Sequence, residues 1–306
     1  MQRLIHLLAL TAMIGGILFT GFGTSYASAQ ATPSPVAADG TSCTATEFTP
    51  HLNQQYAETT SDPNLTSVDV YALDVPSTCA PSPILIWIHG GGWRNGDKDY
   101  QNDNKMQFAL EQGWTFVSIN YRLTPEVTYP VPNQDSADAI GWTLDHAAEF
   151  NADPTRVVIM GHSAGGGIVA ALGTDERYLE NAGHELTDID CVVALDSEGY
   201  DVTINGGSVD LYIDMFGTDP AAWPDMSPIN HIAANKGIPD FFIVTRGQPQ
   251  RVGHAQDFAD ALEAAGIPAQ VIDVDLSHGG VNQAVGDPAD TLVTPKLLPF
   301  LEGCFA

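Results

Sequence analysis

Basic residues are scarce in this sequence. Lys and Arg number 11 against 38 Asp and Glu in 306 residues, a formal net charge of -27. So few cations cannot neutralise a phosphate backbone, which excludes nucleic acid as a partner. The same field repels anionic lipid surfaces and large polyanionic substrates. Cysteine is sparse too: Cys43, Cys79, Cys191 and Cys304 are the whole set, and their spacing matches no zinc site. Beyond the N-terminus no apolar run approaches the length of a bilayer span. Internal repeats and heptads are absent, so one domain of about 260 residues is the simplest organisation. Apolar residues are not lacking. At 44% hydrophobic and only 16% charged, the chain can bury a sizeable core, and wholesale disorder is excluded.

At the N-terminus, Arg3 precedes an apolar stretch from Leu7 to Phe22, followed by Tyr26 and Ala27-Ser28-Ala29. A positive start, an apolar centre and an A-x-A end describe a secretory signal peptide over residues 1–29, cut after Ala29. Retention as a membrane anchor is the alternative, because the run is long for a signal and holds Gly15, Gly16, Gly21 and Gly23. Cleavage removes Arg3 and leaves 10 basic residues against 38 acidic ones, a charge of -28. Residues 30–64 read as a leader, Pro-rich over 30–41, and an N-terminal segment, and residues 65–306 as the folded catalytic domain. In an exported chain an even cysteine count favours two disulfides. Asn64-Leu65-Thr66 is a glycosylation sequon if the host glycosylates.

Strands alternate with helices along the domain. Ser67 to Val75 alternates like a half-exposed strand, while Ile84 to Ile88 (ILIWI), Trp114 to Ile119, Arg156 to Met160 (RVVIM), Cys191 to Leu195, Asp240 to Thr245 and Ala269 to Val274 read as further strands. Helices are predicted at 104–112, 133–150, 164–172, 254–265 and 290–302. This alternation implies an α/β fold with a mainly parallel sheet covered on both faces, and reactive residues at the carboxyl ends of its strands. The irregular stretch 199–235 carries Tyr200, Tyr212, Phe216 and Trp223, which fit a lid or acyl pocket, or simply core.

Three motifs fall at strand ends. Gly161-His162-Ser163-Ala164-Gly165 lies between RVVIM and a helical GGIVAAL, the strand–turn–helix context that thrusts a serine out at a helix N-terminus. An ordinary Gly-rich loop is the competing reading, but neither G-x-G-x-x-G nor a P-loop is present there. His89-Gly90-Gly91-Gly92-Trp93 follows ILIWI directly, and its glycine N–H groups are suited to hold a developing oxyanion. Gly91, Gly92 and Ala164 are the expected donors. A serine needs an adjacent general base. Of nine histidines, His278 alone follows the final strand near the C-terminus, in the chain order Ser…acid…His.

The segments HGGGWRNGDK (89–98), NYRL (120–123), DPTRVVIMGHSAGGG and SHGGVN together resemble the α/β-hydrolases. They are most similar to the esterase/lipase group with feruloyl-esterase-like (BD-FAE-like) and kynurenine-formamidase-like enzymes, over about residues 65–302. The resemblance implies an eight-stranded, mostly parallel sheet and acyl transfer to water without a metal or other cofactor. Ser163 is then the nucleophile and His278 the base. In that family the acid usually follows the strand that here reads FFIVT, but Gln250 stands about there. A glutamine cannot stabilise imidazolium with charge. Asp196, at the end of CVVALD, is the first choice instead, with loop capping as its competing role. Asp257 and Asp275 are the alternatives. The same fold places Cys43, Cys79, Cys191 and Cys304 at the amino-end edge of the sheet and implies the pairs Cys43–Cys79 and Cys191–Cys304. The expected function is a secreted serine esterase acting on a small-molecule ester, a neutral one given the acidic surface, without stable membrane association after signal cleavage. An amidase or formamidase of the same fold, and a catalytically silent binding protein, are the rival readings.

Overall fold

The computed structural model describes residues 43–58, 62–207 and 209–306. The expected signal peptide lies outside them. Eight strands form one sheet: β1 (Phe48–Gln55), β2 (Ser67–Leu73), β3 (Ser82–Ile88), β4 (Thr115–Ile119), β5 (Ala152–His162), β6 (Cys191–Leu195), β7 (Asp240–Thr245) and β8 (Ala269–Asp273). Their spatial order is β1-β2-β4-β3-β5-β6-β7-β8. The first two pairings, β1 with β2 and β2 with β4, are antiparallel. From β4 onward every pairing is parallel. The continuous apolar runs occupy the middle, where both faces are covered. On β3, Ile84, Ile86 and Ile88 join one core layer while Leu85 and Trp87 join the other. The edge strand β1 is largely exposed.

Nine helices are present among the described residues: α1 (Asp103–Gln112), α2 (Val131–His146), α3 (Ala164–Thr174), α4 (Glu176–Asn181), α5 (Val202–Asn205), α6 (Asp210–Phe216), α7 (Pro249–Ala264), α8 (His278–Ala284) and α9 (Thr294–Cys304). Helices α2, α3 and α7 cover the first core layer through Ile140, Ile168 and Phe258. Helices α1 and α9 cover the second through Phe108 and Leu297. Helix α3 is buried at every residue, which suits a sequence that is apolar or glycine throughout except for Thr174, whose hydroxyl donates to the Ala170 carbonyl. None of these helices is long and apolar enough to cross a membrane.

Several boundaries differ from the sequence expectations. The sheet begins at β1, well before residue 65, so the segment 30–64 is not only a leader. FTPHLNQQ hides this strand because it carries a proline and no apolar alternation. Helix α7 starts at Pro249, five residues early, since proline is favoured in a first turn. The predicted helix over 133–150 ends at His146 and tightens into a 3₁₀ turn over Ala147–Phe150. The last helix begins at Thr294 rather than at residue 290. Stretch 199–235 contains α5 and α6, and its Tyr200 is core, stacked on Phe258 with ring centroids 4.6 Å apart.

Cys43 is bonded to Cys79 and Cys191 to Cys304. Cys191 opens β6 and Cys304 closes α9, so this link ties the final helix to the amino end of a central strand. The sequon asparagine is engaged: Asn64 Nδ2 donates to Asp97 at 2.6 Å and its Oδ1 accepts from Lys98 Nζ at 2.8 Å. A glycan on Asn64 would break this half-buried junction.

Candidate active site

Strand β5 ends at His162, and the chain turns into α3 through Ser163, whose backbone takes φ 58° and ψ -118°. Such a conformation is strained for a non-glycine residue and persists only where the surroundings enforce it. Close approach enforces it here. A Cβ on Gly161 would lie 2.3 Å from the Gly165 carbonyl oxygen, and one on Gly165 only 2.2 Å from that of Ile88. Glycine at both flanks therefore lets β5, α3 and β3 meet and leaves Ser163 projecting at a helix N-terminus.

His278 opens α8, beyond β8. Its Nε2 lies 2.9 Å from Ser163 Oγ and its Nδ1 2.5 Å from Asp196 Oδ2. A carboxylate only accepts, so Nδ1 carries the proton and Nε2 offers a lone pair to the serine hydroxyl. Asp196 follows β6 directly with φ 49°, a left-handed conformation that aspartate adopts more readily than most residues. Its side chain is fully buried. The structure thus brings Ser163, His278 and Asp196 together. Asp257 and Asp275 are exposed at the surface. Gln250 sits in the first turn of α7 and lines a separate cavity of about 380 Å³.

Two residues that the sequence reading did not single out surround Asp196. Arg246 Nε donates to Asp196 Oδ2 at 2.5 Å. Arg251 donates to Oδ1 through Nε at 2.9 Å and Nη2 at 2.7 Å, and Nη2 also reaches the Asp196 carbonyl at 2.9 Å. Arg251 pairs with Glu198 as well. Burial alone raises the Asp196 carboxyl, but the His278 hydrogen bond and the charges of Arg251 and Arg246 outweigh it and hold the group below the usual carboxylate range. The signal was present in the sequence: two arginines stand in the loop where the acid was expected.

His162 packs against His278 at a tilt of 37° with ring centroids 4.5 Å apart, and its Nε2 lies 3.0 Å from the His278 carbonyl. Burial and the neighbouring His278 lower His162 to about 4, so it stays neutral and donates this bond. The ligand atoms of His162, Asp196 and His278 lie within 4.8 Å of one another. Both nitrogens of His278 and Nε2 of His162 are already committed to hydrogen bonds, an arrangement for moving a proton rather than for coordinating an ion.

The glycine run lies opposite the serine. Gly91 takes φ 122°, and a Cβ there would fall 1.9 Å from the Asn95 carbonyl oxygen. The N–H groups of Gly91 and Gly92 enter no turn or loop hydrogen bond among the described residues. Tyr121, from the NYRL segment, stacks on His89 at 4.5 Å and donates to its carbonyl at 3.1 Å, which fixes the start of the run. Gly92 and Ala164 line a cavity of about 270 Å³ with Ser163, His278, Trp93 and Tyr212. Gly91 and Gly92 also border a larger cavity of about 850 Å³ that reaches Ser163. Tyr212 and Phe216, expected as lid, pocket or core, are buried and meet Trp93 edge-on at 5.3 Å.

The BD-FAE family model matches residues 68–259. Esterase LipI of Mycobacterium tuberculosis is 28% identical over 250 residues, which is 72% of this chain and 73% of that protein. Carboxylesterase NlhH of the same species is 29% identical over 258 residues, 78% of this chain and 79% of that protein. Among solved structures, a truncated carbohydrate esterase from gut microbiota superposes with a TM-score of 0.68 at 21% identity, covering 85% of this chain and 97% of that one. Carboxyl esterase 2 from Tuber melanosporum gives 0.65 at 23% identity, covering 85% and 89%. At such identities the structural likeness concerns the fold, an α/β-hydrolase sheet. The chain belongs to the BD-FAE family and is a carboxylic ester hydrolase.

Proposed function

We propose that this member of the BD-FAE family is a secreted serine carboxylesterase working through an acyl-enzyme on Ser163. The observation that carries this is the contact chain Ser163 Oγ–His278–Asp196, at 2.9 and 2.5 Å. Ser163 Oγ attacks the ester carbonyl carbon as His278 Nε2 takes its proton. The oxyanion accepts hydrogen bonds from Gly91, Gly92 and Ala164, with the N-terminus of α3 adding its partial positive charge. Collapse breaks the C–O ester bond, and His278 returns the proton to the departing alcohol. Water then attacks the acyl-enzyme, gives a proton to His278 and releases the acid, and Ser163 regains its proton. Asp196 stays ionised throughout and stabilises the transient imidazolium. The substrate is a small ester without negative charge, in keeping with the net charge of -27. The signal-like N-terminus and the two disulfides support export.

Ser163→Ala is expected to abolish turnover of a short p-nitrophenyl ester and labelling by a fluorophosphonate, as measured on the purified mature protein. Labelling of the wild type excludes a silent binding protein. Full activity in Ser163→Ala refutes the mechanism, and an arylformamide turned over faster than its ester counterpart favours the amide reading.

A further inference from the structure

Two cavities meet at the reacting serine, one of about 270 Å³ and one of about 850 Å³. Four residues border both: Gly92, Ser163, Leu211 and His278. Three of them have a part in the reaction proposed above. Leu211 is the fourth, and it brings no polar side chain to the chemistry. Helix α6 places it there. Tyr212, Met215 and Phe216, at i, i+3 and i+4, are buried and dock the helix into the core, where Tyr212 and Phe216 meet Trp93. The Met215 carbonyl also accepts from the Tyr129 N–H at 2.9 Å. Leu211 and Asp214, three residues apart, share another face that meets the glycine run. Asp214 pairs with Arg94, and a Cβ on Gly92 would lie 3.9 Å from Leu211 Cδ2. An isobutyl group on an anchored helix therefore stands over an oxyanion glycine, at the junction of the two cavities.

The cavities differ in more than size. The larger runs on along α8, past His278 to Gly279 and Asn282, so it can take the alcohol that receives its proton from His278. The smaller includes Ala164 at the start of α3 and is walled by Trp93 and Tyr212. Its remaining wall holds Glu198, Arg246 and Arg251. These charges are already engaged, both arginines with Asp196 and Arg251 also with Glu198. An alkyl chain pressed against them would strip their water and offer no bond in return, which disfavours a long chain.

We propose that Leu211 is a specificity-determining residue that divides the substrate space into an acyl compartment of about 270 Å³ and an alcohol compartment of about 850 Å³, and so restricts the acyl group to short chains. The assignment rests on the esterase reading of Ser163. It deepens that reading by naming the half of the ester that is held to a size and the half that is free to vary.

The test measures kcat/KM for p-nitrophenyl acetate, butyrate and octanoate in the wild type, Leu211→Ala and Leu211→Phe. The wild type is expected to favour butyrate over octanoate by about tenfold. Leu211→Ala joins the compartments and should raise the octanoate-to-butyrate ratio by about tenfold, while Leu211→Phe lowers the butyrate-to-acetate ratio. Each ratio is taken on one preparation, so any unfolded fraction cancels. In a second series, ethyl and hexyl butyrate keep the acyl group and vary the alcohol, and Leu211→Ala should move their ratio by less than about twofold. An octanoate-to-butyrate ratio that Leu211→Ala leaves unchanged overturns the division, as does a wild type that turns over octanoate as fast as butyrate. A shift in the alcohol series as large as that in the acyl series would show a general loosening of the site and also overturn it. Should none of these esters be hydrolysed at a rate above that of Ser163→Ala, the esterase reading itself fails, and the proposal with it.

Discussion

Lys105 is fully buried in α1, and among the described residues its hydrogen-bond and ring partners are neutral. Nζ donates to the carbonyls of Asn282 at 2.6 Å and Gln101 at 3.3 Å, and sits 4.4 Å above the Trp87 ring. Burial lowers its pKa from 10.5 to about 7. Below pH 7 the ammonium is charged in the folded and unfolded chains alike, and the penalty of burying it is fully present. Above pH 10.5 it is neutral in both and the penalty vanishes. In between, the unfolded chain binds more protons, so stability rises with pH. From pH 7 to 9.5 the gain is about 3 kcal/mol, and stopping there avoids the alkaline range in which the buried tyrosines, whose phenols burial pushes up, begin to act against the fold. Only four lysines occur in the chain, so this contribution stands out. Urea unfolding at a series of pH values reads it. Lys105→Met should abolish the rise and leave the protein about 1–3 kcal/mol more stable at pH 7, because the lost buried charge outweighs the two unbonded carbonyls. Wild-type stability that is flat over this range, or an equal slope in Lys105→Met, refutes the reasoning.

The arginines around Asp196 make a second prediction. Arg251→Met removes three hydrogen bonds to that residue and one of its two guanidinium charges. Stability should fall by about 2–4 kcal/mol in urea unfolding, and kcat by about 10- to 100-fold with KM little changed, while Arg251→Lys recovers part of kcat. Wild-type kcat in Arg251→Met would show that the clamp does not position the acid. Export is read from the N-terminus of protein recovered from culture supernatant. Gln30 is expected, with no titratable thiol, and a retained Met1 or free cysteines would refute it.

The parts legible in sequence were those fixed by local chemistry. ILIWI and RVVIM read as central strands because a strand buried on both faces has no polar positions. Ser163 was legible because close packing at its turn restricts both flanks to glycine. The edge strand β1 was not, since an edge needs neither alternation nor a continuous apolar run, and most of its side chains face solvent. Helix α8 was missed for a related reason. HGGVNQA contains two glycines and little amphipathic period, and Ser277 holds its first turn by accepting from the Gly280 N–H at 3.0 Å. Lys105 could not be found from sequence at all, because its burial depends on Trp87 and Asn282, which come from β3 and α8.

Asp196 shows why one side chain can be ambiguous when the fold around it is clear. Whether Asp196 can serve His278 depends on residues 50 and 55 positions away. A fully buried carboxylate with no cation beside it takes up a proton, and a protonated acid cannot stabilise imidazolium. Had the loop after β7 kept a carboxylate near position 250, two acids would have competed for one imidazole and pushed one another toward protonation. Arg246 in the loop after β7 and Arg251 in the first turn of α7 supply the charge that, with His278, holds the Asp196 carboxyl below the usual range. The place of Asp196 at the end of β6 and the arginines at 246 and 251 therefore depend on one another. In a chain with so few cations, two basic residues around the position expected to be acidic are a stronger clue to the place of a buried carboxylate than the aspartate itself.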